Sequence, residues 1–312
     1  MGKEYDVIIL GGGPAGLTAG LYAGRSRLRT LLIEKSQDGG QIALSASVEN
    51  YPGQMLEGET GVSLAARMAA QCERFGVERK ADDIQTAELS GEIKRLTGGT
   101  GTYEARTVIL ATGASPRPIG CENEADFIGR GISYCATCDG AFFRGLDVYV
   151  AGGGDSAVEE ALFLTRFARK VTIIHRRDQL RAAKSIQEKA FANPNIRFLW
   201  DSVAVKAEGS DVLDTLTVRN VKTGELTVIK ASPEDGRLGL FGFVGYLPNT
   251  ELFADQLPLE NGYISTDGEM RTAIPGVFAA GDVRVKSLRQ VVTATADGAV
   301  AAVQAERYLA GL

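Results

Sequence analysis

The strongest constraint on this chain is a unit of apolar strand, glycine-rich loop and helix that occurs twice. The first copy runs from a strand at residues 6–10 into a loop at 11–16, and the second from 147–151 into 152–157. Both loops fit the pattern G-x-G-x-x-G/A, and continuous apolar strands of this kind are buried on both faces of a parallel sheet. The repeat predicts an α/β protein with two Rossmann-like dinucleotide-binding domains.

The first loop is followed by an acidic residue at the spacing that a ribose site requires. Gly11 permits a tight turn, Gly13 lets the backbone approach a pyrophosphate, and Gly16 lets helix and strand pack closely. Glu34 lies 21 residues beyond Gly13, where a carboxylate can bond ribose hydroxyls and repels a 2′-phosphate. This unit is therefore predicted to bind FAD or NAD rather than NADP. The predicted contacts are Gly11, Gly13, Pro14, Ala15, Gly16, Glu34 and Lys35.

The second copy carries a basic cluster where the first copy has its acid. His175 lies 21 residues beyond Gly154, and three arginines follow it. Because an arginine guanidinium can donate two hydrogen bonds to the oxygens of one phosphate, this cluster suits a ribose with a 2′-phosphate and predicts NADPH. A solvated basic turn is the alternative, but the register with the glycine loop favours a cofactor site. The predicted contacts are Gly152, Gly154, Asp155, Ser156, Ala157, His175, Arg176, Arg177 and Arg181.

Two cysteines, Cys135 and Cys138, are separated by two residues. This spacing can form a redox-active disulfide, share a metal ion or be structural. A zinc site needs about four ligands, and the other two cysteines and the single histidine form no second paired cluster. The spacing therefore favours a redox-active dithiol. Asp139 follows directly and is a candidate proton donor, with a helix N-cap as the alternative.

Charge and hydrophobicity exclude several classes of protein. Lys and Arg number 34 against 39 Asp and Glu, so the net charge is −5 and nothing indicates a basic face for nucleic acid. No apolar run approaches the ~20 residues of a membrane span, and the start of the chain resembles no secretory signal. Few cysteines and no export signal indicate a reducing compartment. We therefore expect a cytoplasmic protein that binds neither membranes nor nucleic acid.

The remaining segments predict how the two units are connected. Residues 60–75 have the periodicity of a helix whose apolar face includes Val62, Cys72 and Phe75, so Cys72 is predicted to be buried. A second helix is predicted from about Ser156 to Phe167, and residues 239–248 read as a return connection. An apolar strand near residues 274–280 ends in Gly281 and Asp282, which places a carboxylate where it can bond a ribityl or phosphate group. Pro116 and Pro118 stiffen a connection, so we place a domain boundary there.

Together these motifs resemble the low-molecular-weight thioredoxin reductases, and the resemblance covers essentially the whole chain. It implies a homodimeric flavoenzyme whose FAD domain comes from both ends of the chain, residues 1–116 and 245–312. A smaller NADPH domain with the cysteine pair, residues 117–244, would be inserted between them. The resemblance also implies FAD contacts at Gly40, Gln41, Asn50, Ala111, Thr112, Gly113, Gly281, Asp282, Arg289 and Gln290.

The same resemblance implies a reaction path from NADPH through FAD and the cysteine pair to thioredoxin or a thioredoxin-like protein. Cys138 would face the flavin, Cys135 would attack the partner disulfide, and Asp139 would supply a proton. Since the cysteine pair and the nicotinamide site belong to one inserted domain, we expect that domain to rotate about connections near residues 116–118 and 242–245.

Other reactions on the same scaffold remain open at this stage. Relatives include dithiol oxidases that use oxygen and reductases that take electrons from ferredoxin, and both should lack the basic cluster at residues 175–181. A non-enzymatic flavin redox sensor that signals through the cysteine pair is the third alternative. The basic cluster favours the NADPH-dependent reductase.

Overall fold

A computed structural model describes residues 4–44, 48, 50–55 and 57–311, except for the side chain of Cys138. The chain divides into two units: residues 1–115 with 247–312 form the first, and residues 116–246 form the second. Each unit has its own apolar core. No helix in the described part of the chain is long and apolar enough to cross a bilayer.

The secondary-structure elements follow one another along the chain from β1 to α7. Up to residue 116 they are β1 (Glu4–Leu10), α1 (Pro14–Arg25), β2 (Thr30–Glu34), α2 (Gly61–Arg74), β3 (Glu78–Ala81), β4 (Ile84–Glu88), β5 (Lys94–Gly98), β6 (Thr102–Leu110) and β7 (Ala114–Pro116). Next come α3 (Glu124–Phe127), β8 (Ile132–Ser133), α4 (Ala136–Asp139), β9 (Asp147–Gly152), α5 (Asp155–Leu164), β10 (Lys170–Ile174), α6 (Lys184–Ala192), β11 (Ile196–Leu199), β12 (Ser202–Glu208), β13 (Thr215–Asn220), β14 (Leu226–Lys230), β15 (Gly239–Phe243) and β16 (Tyr246–Pro248). The last are β17 (Leu259–Glu260), β18 (Tyr263–Ile264), β19 (Val277–Ala279) and α7 (Val291–Leu309).

The first unit is built on a seven-stranded sheet with the order β3-β2-β1-β6-β5-β4, and β19 also pairs with β6. Strand β1 runs parallel to β2 and β6, with Ile9 opposite Leu32 and Ile109. Ile8 and Ile9 belong to different apolar clusters because successive side chains point to opposite faces of a strand. Both faces of the sheet are therefore covered, as the continuous apolar run predicts.

The second unit contains a parallel five-stranded sheet with the order β11-β10-β9-β15-β8. Strand β15 lies inside this sheet, so the prediction of a return connection at residues 239–248 is wrong for Gly239–Phe243. A Cβ on Gly239 would lie 2.6 Å from the Phe143 ring, and one on Gly242 would lie 2.5 Å from the Tyr134 ring. The glycines thus make room for aromatic neighbours rather than for a flexible loop.

Two further predictions of local structure need correction. On α2, Cys72 is fully buried as predicted, but Val62 and Phe75 are 59% and 42% exposed. Helix α5 ends at Leu164 rather than near Phe167, which lies in the following turn. Val62 lies in the first turn of α2 and Phe75 is its C-cap residue, and the ends of a helix are where an apolar period is the poorest guide to burial.

Candidate functional site

The first glycine loop has the geometry that its sequence pattern requires. A Cβ on Gly11 would lie 2.2 Å from the carbonyl oxygen of Ala111, and one on Gly16 would lie 1.8 Å from the oxygen of Gly11. Gly13 is different, since its Cβ would have no neighbour closer than 3.9 Å. Close packing therefore requires glycine at positions 11 and 16, while Gly13 leaves open space beside the backbone for a phosphate group.

Helix α1 begins directly after this loop with its N-terminal N–H groups available. No acidic residue lies in its first turn, and its N-cap residue, Gly13, has no side chain that could cap it. The segment at residues 39–41 lies against the loop, because Gly39 N–H donates to the Gly12 oxygen at 2.8 Å and a Cβ on Gly40 would be 3.5 Å from Gly13 Cα. Gln41 beside it is exposed. A helix N-terminus of this kind favours phosphate binding.

Glu34 ends β2 beside the same loop. Its carboxylate accepts hydrogen bonds from the Gly12 N–H at 2.7 Å and from the Ser36 N–H at 2.9 Å. A cavity of about 250 Å³ opens beside it. Carboxylates in this cavity can bond ribose hydroxyls and oppose an additional phosphate. The cavity lining includes Gly11, Lys35, Asp82, Asp83, Thr112 and Asn249.

Asp282 lies in the short 3-10 helix Gly281–Val283, after β19. Its Oδ1 atom is buried without a hydrogen-bond partner among the described residues. Burial raises the pKa of Asp282, against the opposing charges of Lys286 and Arg289. A Cβ on Gly281 would lie 2.8 Å from the Ala15 side chain, so this turn packs on the start of α1. A carboxyl oxygen that is buried here without a partner among the described residues can accept hydrogen bonds from the hydroxyl groups of a polyhydroxyl chain.

Asp297 on α7 holds this turn in position, and sequence reasoning missed it. Its Oδ2 atom accepts from the Gly281 N–H at 3.0 Å, from Lys286 Nζ at 2.7 Å and from Arg284 at 3.3 Å. The side chains of Asp297, Lys286 and Arg284 are only 10%, 7% and 12% exposed. The one signal in the sequence is an acidic residue within an alanine-rich helical segment.

The Asp297 cluster gives a stability prediction. We expect Asp297→Ala to lower the free energy of unfolding by about 3–5 kcal/mol, because it leaves two buried cations without their carboxylate. The measurement is denaturant unfolding of the FAD-loaded protein. Adding Lys286→Met to Asp297→Ala should recover part of the loss, since one of the unpaired charges is then absent. An Asp297→Ala protein as stable as the parent would contradict the prediction.

The other residues predicted for this site lie at the same end of the first unit. Asn50 Nδ2 donates to Gln290 Oε1 at 2.9 Å. The Arg289 guanidinium lies 4.0 Å from the centre of the Tyr263 ring, and its Nε atom is buried without a partner among the described residues. Thr112 and Gly113 are tied to Asn249, which donates to both carbonyl oxygens at 2.8 and 3.0 Å.

The second glycine loop repeats the first in the second unit. A Cβ on Gly152 would lie 2.4 Å from the Phe243 oxygen, and Gly154 precedes the first residue of α5. Asp155 Oδ1 accepts from the Ala183 N–H at 2.6 Å, and the Arg181 N–H donates to the Gly153 oxygen at 2.7 Å. These bonds fix the segment after His175 against the loop.

His175 lies under this loop and is 5% exposed. A Cβ on Gly153 would be 2.3 Å from its Nδ1 atom, and its Nε2 atom is buried without a partner among the described residues. Burial lowers the pKa of His175, and the three arginine charges nearby lower it further. The ring is therefore neutral at pH 7. Arg176, Arg177 and Arg181 are exposed, so their guanidinium groups are free to bind an anion from solvent.

The cysteine segment, residues 133–140, also belongs to the second unit. Cys135 is disulfide-bonded and half-buried, and its backbone N–H donates to the buried Ser133 Oγ at 3.0 Å. Cys138 lies in α4, but its side chain is outside the described part of the structure. Asp139 ends α4, is half-buried and makes no side-chain capping bond to the next turn. This observation gives no support to the N-cap alternative.

The two other cysteines give a prediction about reactivity. Cys72 and Cys121 are buried free thiols, and burial raises the pKa of each to about 11. Since the thiolate is the reactive form, we expect neither to react with a disulfide dye in the native protein. Reactive thiols should appear only after dithiothreitol reduction, which peptide mass mapping would locate. Modification of Cys72 or Cys121 without denaturant would contradict this.

Comparison with known proteins identifies the family. The sequence model of the pyridine nucleotide-disulphide oxidoreductases matches residues 5–298. A thioredoxin reductase from Peptoclostridium litorale is 54% identical over 310 residues, which are 99% of this chain and 98% of that protein. The chain belongs to the thioredoxin reductases. A second member, from Peptoclostridium acidaminophilum, is 52% identical over the same shares of both chains.

A solved structure gives the same result. The thioredoxin reductase of Lactococcus lactis is 45% identical, matches with a TM-score of 0.93 and covers 99% of this chain and 100% of its own. The predicted family and the predicted α/β fold are thus confirmed. The family uses FAD and NADPH, which confirms both predicted cofactors. The space beside Gly13 and Gly154 at the starts of α1 and α5 fits such groups, as does the Asp282 Oδ1 atom, which is buried without a partner among the described residues.

Proposed function

We propose that this chain is an NADPH-dependent flavoenzyme that reduces the disulfide of thioredoxin or a thioredoxin-like protein through Cys135 and Cys138. The observation that carries this proposal is the disulfide-bonded Cys135 in a unit that also holds a dinucleotide loop with a basic ribose position. The thioredoxin reductases to which the chain is similar support the reaction. When bound, NADPH and FAD supply the two-electron reduction that a disulfide needs.

The first unit is the proposed FAD domain. Glu34 would bond the ribose hydroxyls, and the N–H groups after Gly13 would bind the pyrophosphate. Asp282, whose buried Oδ1 atom has no partner among the described residues, would bond the ribityl or phosphate portion, and Asp297 would keep it in position. The remaining proposed contacts are Gly11, Pro14, Ala15, Gly16, Lys35, Gly40, Gln41, Asn50, Ala111, Thr112, Gly113, Gly281, Arg289 and Gln290.

The second unit is the proposed NADPH domain. The free N–H groups at the start of α5 would bind the pyrophosphate, as in the first unit. The exposed Arg176, Arg177 and Arg181 would bind the 2′-phosphate, and the neutral His175 would pack against the ribose. The remaining proposed contacts are Gly152, Gly154, Asp155, Ser156 and Ala157.

The cysteine pair and its neighbouring acid divide the disulfide chemistry between them. Cys138 would receive the electron pair, while Cys135 as a thiolate would attack the partner disulfide and form a mixed disulfide. Asp139 would return the proton that the departing thiolate needs. Ser133 would hold the backbone of Cys135 through the whole cycle.

Three further features are part of the proposal. The inserted second unit would rotate about its two connections so that the cysteines and the nicotinamide act in turn. The second of these connections lies after β15, because Gly242 belongs to that strand. We also propose a homodimer, as the family resemblance implies, and a cytoplasmic location, where a vicinal cysteine pair can cycle between its two redox states.

The function is tested with a disulfide dye and either NADPH or NADH, in air and under argon. We expect dye reduction with NADPH, little with NADH, and no change when oxygen is removed. Oxygen consumption without dye reduction would favour a dithiol oxidase. Activity that requires reduced ferredoxin, or no turnover with any donor, would favour the ferredoxin-linked reductase or the redox sensor.

A further inference from the structure

A half-buried glutamate on α5, Glu160, has no role in the proposed function. The Oε2 atom of Glu160 is buried and has no hydrogen-bond partner among the described residues. Burial, followed by the charge of Glu159, raises the pKa of Glu160 to about 7. A buried polar group without a partner costs free energy, so its presence in a folded protein indicates a use for it.

The period of the helix shows which neighbour Glu160 faces. A Cβ on Gly140 would lie 3.2 Å from Leu164 Cδ2 and 3.4 Å from the Phe167 ring, so the cysteine segment packs on these residues. Glu160 and Leu164 have the spacing i, i+4, which places them on one face of α5. Glu160 therefore lies one turn before the contact with Gly140, on the side that faces the cysteine helix.

The core of the second unit agrees with this placement. Ala136 at the start of α4 belongs to one apolar cluster with Ala157 and Ala161 of α5. Thr137, the next residue of α4, also has a buried Oγ1 atom without a partner among the described residues. Two unpartnered polar groups thus belong to two helices that pack together, one of which contains Cys138.

Other charged groups also lie on α5 and on the elements that pack against it. The other charged groups around α5 are exposed or half-exposed, and of the whole set only Glu160 has a buried oxygen without a hydrogen-bond partner among the described residues. The titratable and charged groups on α5 and the elements around it are Asp155 and Glu159 on α5, Asp139 on α4, Arg144 after the cysteine segment, Asp147 and Tyr149 on β9, Lys170 on β10, and Lys184, Glu188 and Lys189 on α6.

We propose that Glu160 is a positioning residue of the redox site, a half-buried carboxyl whose ionisation opposes thiolate formation in the reduced cysteine pair. This inference rests on the proposed function of that pair. Reduction of the disulfide adds two electrons and two protons, and one thiol must then lose its proton to become the nucleophile. A carboxylate on a helix that packs against the cysteine helix raises the free energy of that thiolate, whereas the neutral acid does not.

The test compares the holoenzyme with Glu160→Gln, which keeps the shape of the side chain but cannot ionise. Both proteins are reduced with dithiothreitol, freed of it and alkylated with iodoacetamide between pH 5.5 and 9. The modified cysteines are located by peptide mass mapping. We expect equal rates at pH 5.5 and a variant faster by about fivefold to tenfold near pH 8, where only the parent carries the buried charge.

Two control variants separate this effect from general changes. Glu160→Asp keeps an ionisable carboxyl and should retain the pH dependence of the parent. Glu188→Gln removes an exposed carboxylate from α6 and should alkylate like the parent at every pH. A rate ratio for Glu160→Gln that does not change with pH, or an equal increase in Glu188→Gln, would overturn the proposal.

Failure of this inference can be told from failure of the proposed function. Chemical reduction prepares the thiols, so the alkylation rates do not depend on turnover with NADPH. NADPH-dependent dye reduction is measured at pH 6 on the same preparations. Normal turnover with a flat rate ratio overturns the role of Glu160 alone, while a parent protein that cannot use NADPH overturns the function on which the role rests.

Discussion

Replacing Cys135 by serine is expected to lower NADPH-dependent reduction of a protein disulfide by at least about a thousandfold. A serine hydroxyl is protonated at neutral pH and cannot form the mixed disulfide through which the reaction proceeds. The protein should fold and bind FAD as before, because Cys135 is half-buried and contributes no large side chain to the core. Thiol release from the acceptor, measured with NADPH in excess, checks the prediction.

A matched control and a trapping experiment accompany this variant. Cys121→Ser replaces a buried free thiol of the same unit and should keep full activity. Cys138→Ser leaves Cys135 without its resolving thiol, so it should accumulate a mixed disulfide with thioredoxin. A Cys135→Ser protein with full acceptor activity would refute the role assigned to this residue.

The second large effect concerns the choice of nucleotide. We expect Arg176→Ala combined with Arg177→Ala to lower kcat/KM for NADPH by about 100-fold or more, since a hydrogen bond to a charged group contributes about 1.5–3 kcal/mol. The value for NADH should change by less than about threefold, because NADH has no 2′-phosphate to lose contact with. Steady-state rates with both nucleotides give the comparison.

The chain offers a control and an independent signal for this prediction. Arg219→Ala removes an exposed arginine of the same unit, on β13, and should leave both rates unchanged. Trp200 is the only tryptophan, and its ring lies 6.5 Å from that of His175 in an edge-to-face arrangement. NADPH binding should therefore change its fluorescence in the parent and not in the double variant. An equal loss for both nucleotides would contradict the assignment.

Sequence alone predicted the parts of this molecule whose chemistry depends on local pattern. The glycine loops follow a spacing that only a tight strand-to-helix turn requires, and Gly11 and Gly16 meet backbone atoms as that turn demands. Glu34 and His175 each lie 21 residues beyond the middle glycine of their loop. The acidic ribose position of the first unit and the basic one of the second could therefore be predicted without a structure. The cysteine pair is also a local signal.

Features that depend on packing between distant segments could not be predicted in this way. Asp297 gains its role from a turn 16 residues earlier in the chain and from two buried cations. Strand β15 is rich in glycine and resembles a loop, but aromatic neighbours from other segments fill the space that those glycines leave. Glu160 reads as an ordinary helical glutamate until the cysteine segment is seen to pack on α5.

We propose that electrons from NADPH leave this protein through the cysteine pair to a protein disulfide. The most direct measurement is an anaerobic titration of oxidised thioredoxin with limiting NADPH and a catalytic amount of the protein, in which the thiols formed are counted. We predict two thioredoxin thiols for each NADPH consumed, and none with Cys135→Ser. NADPH consumption without new thiols in thioredoxin would contradict the account.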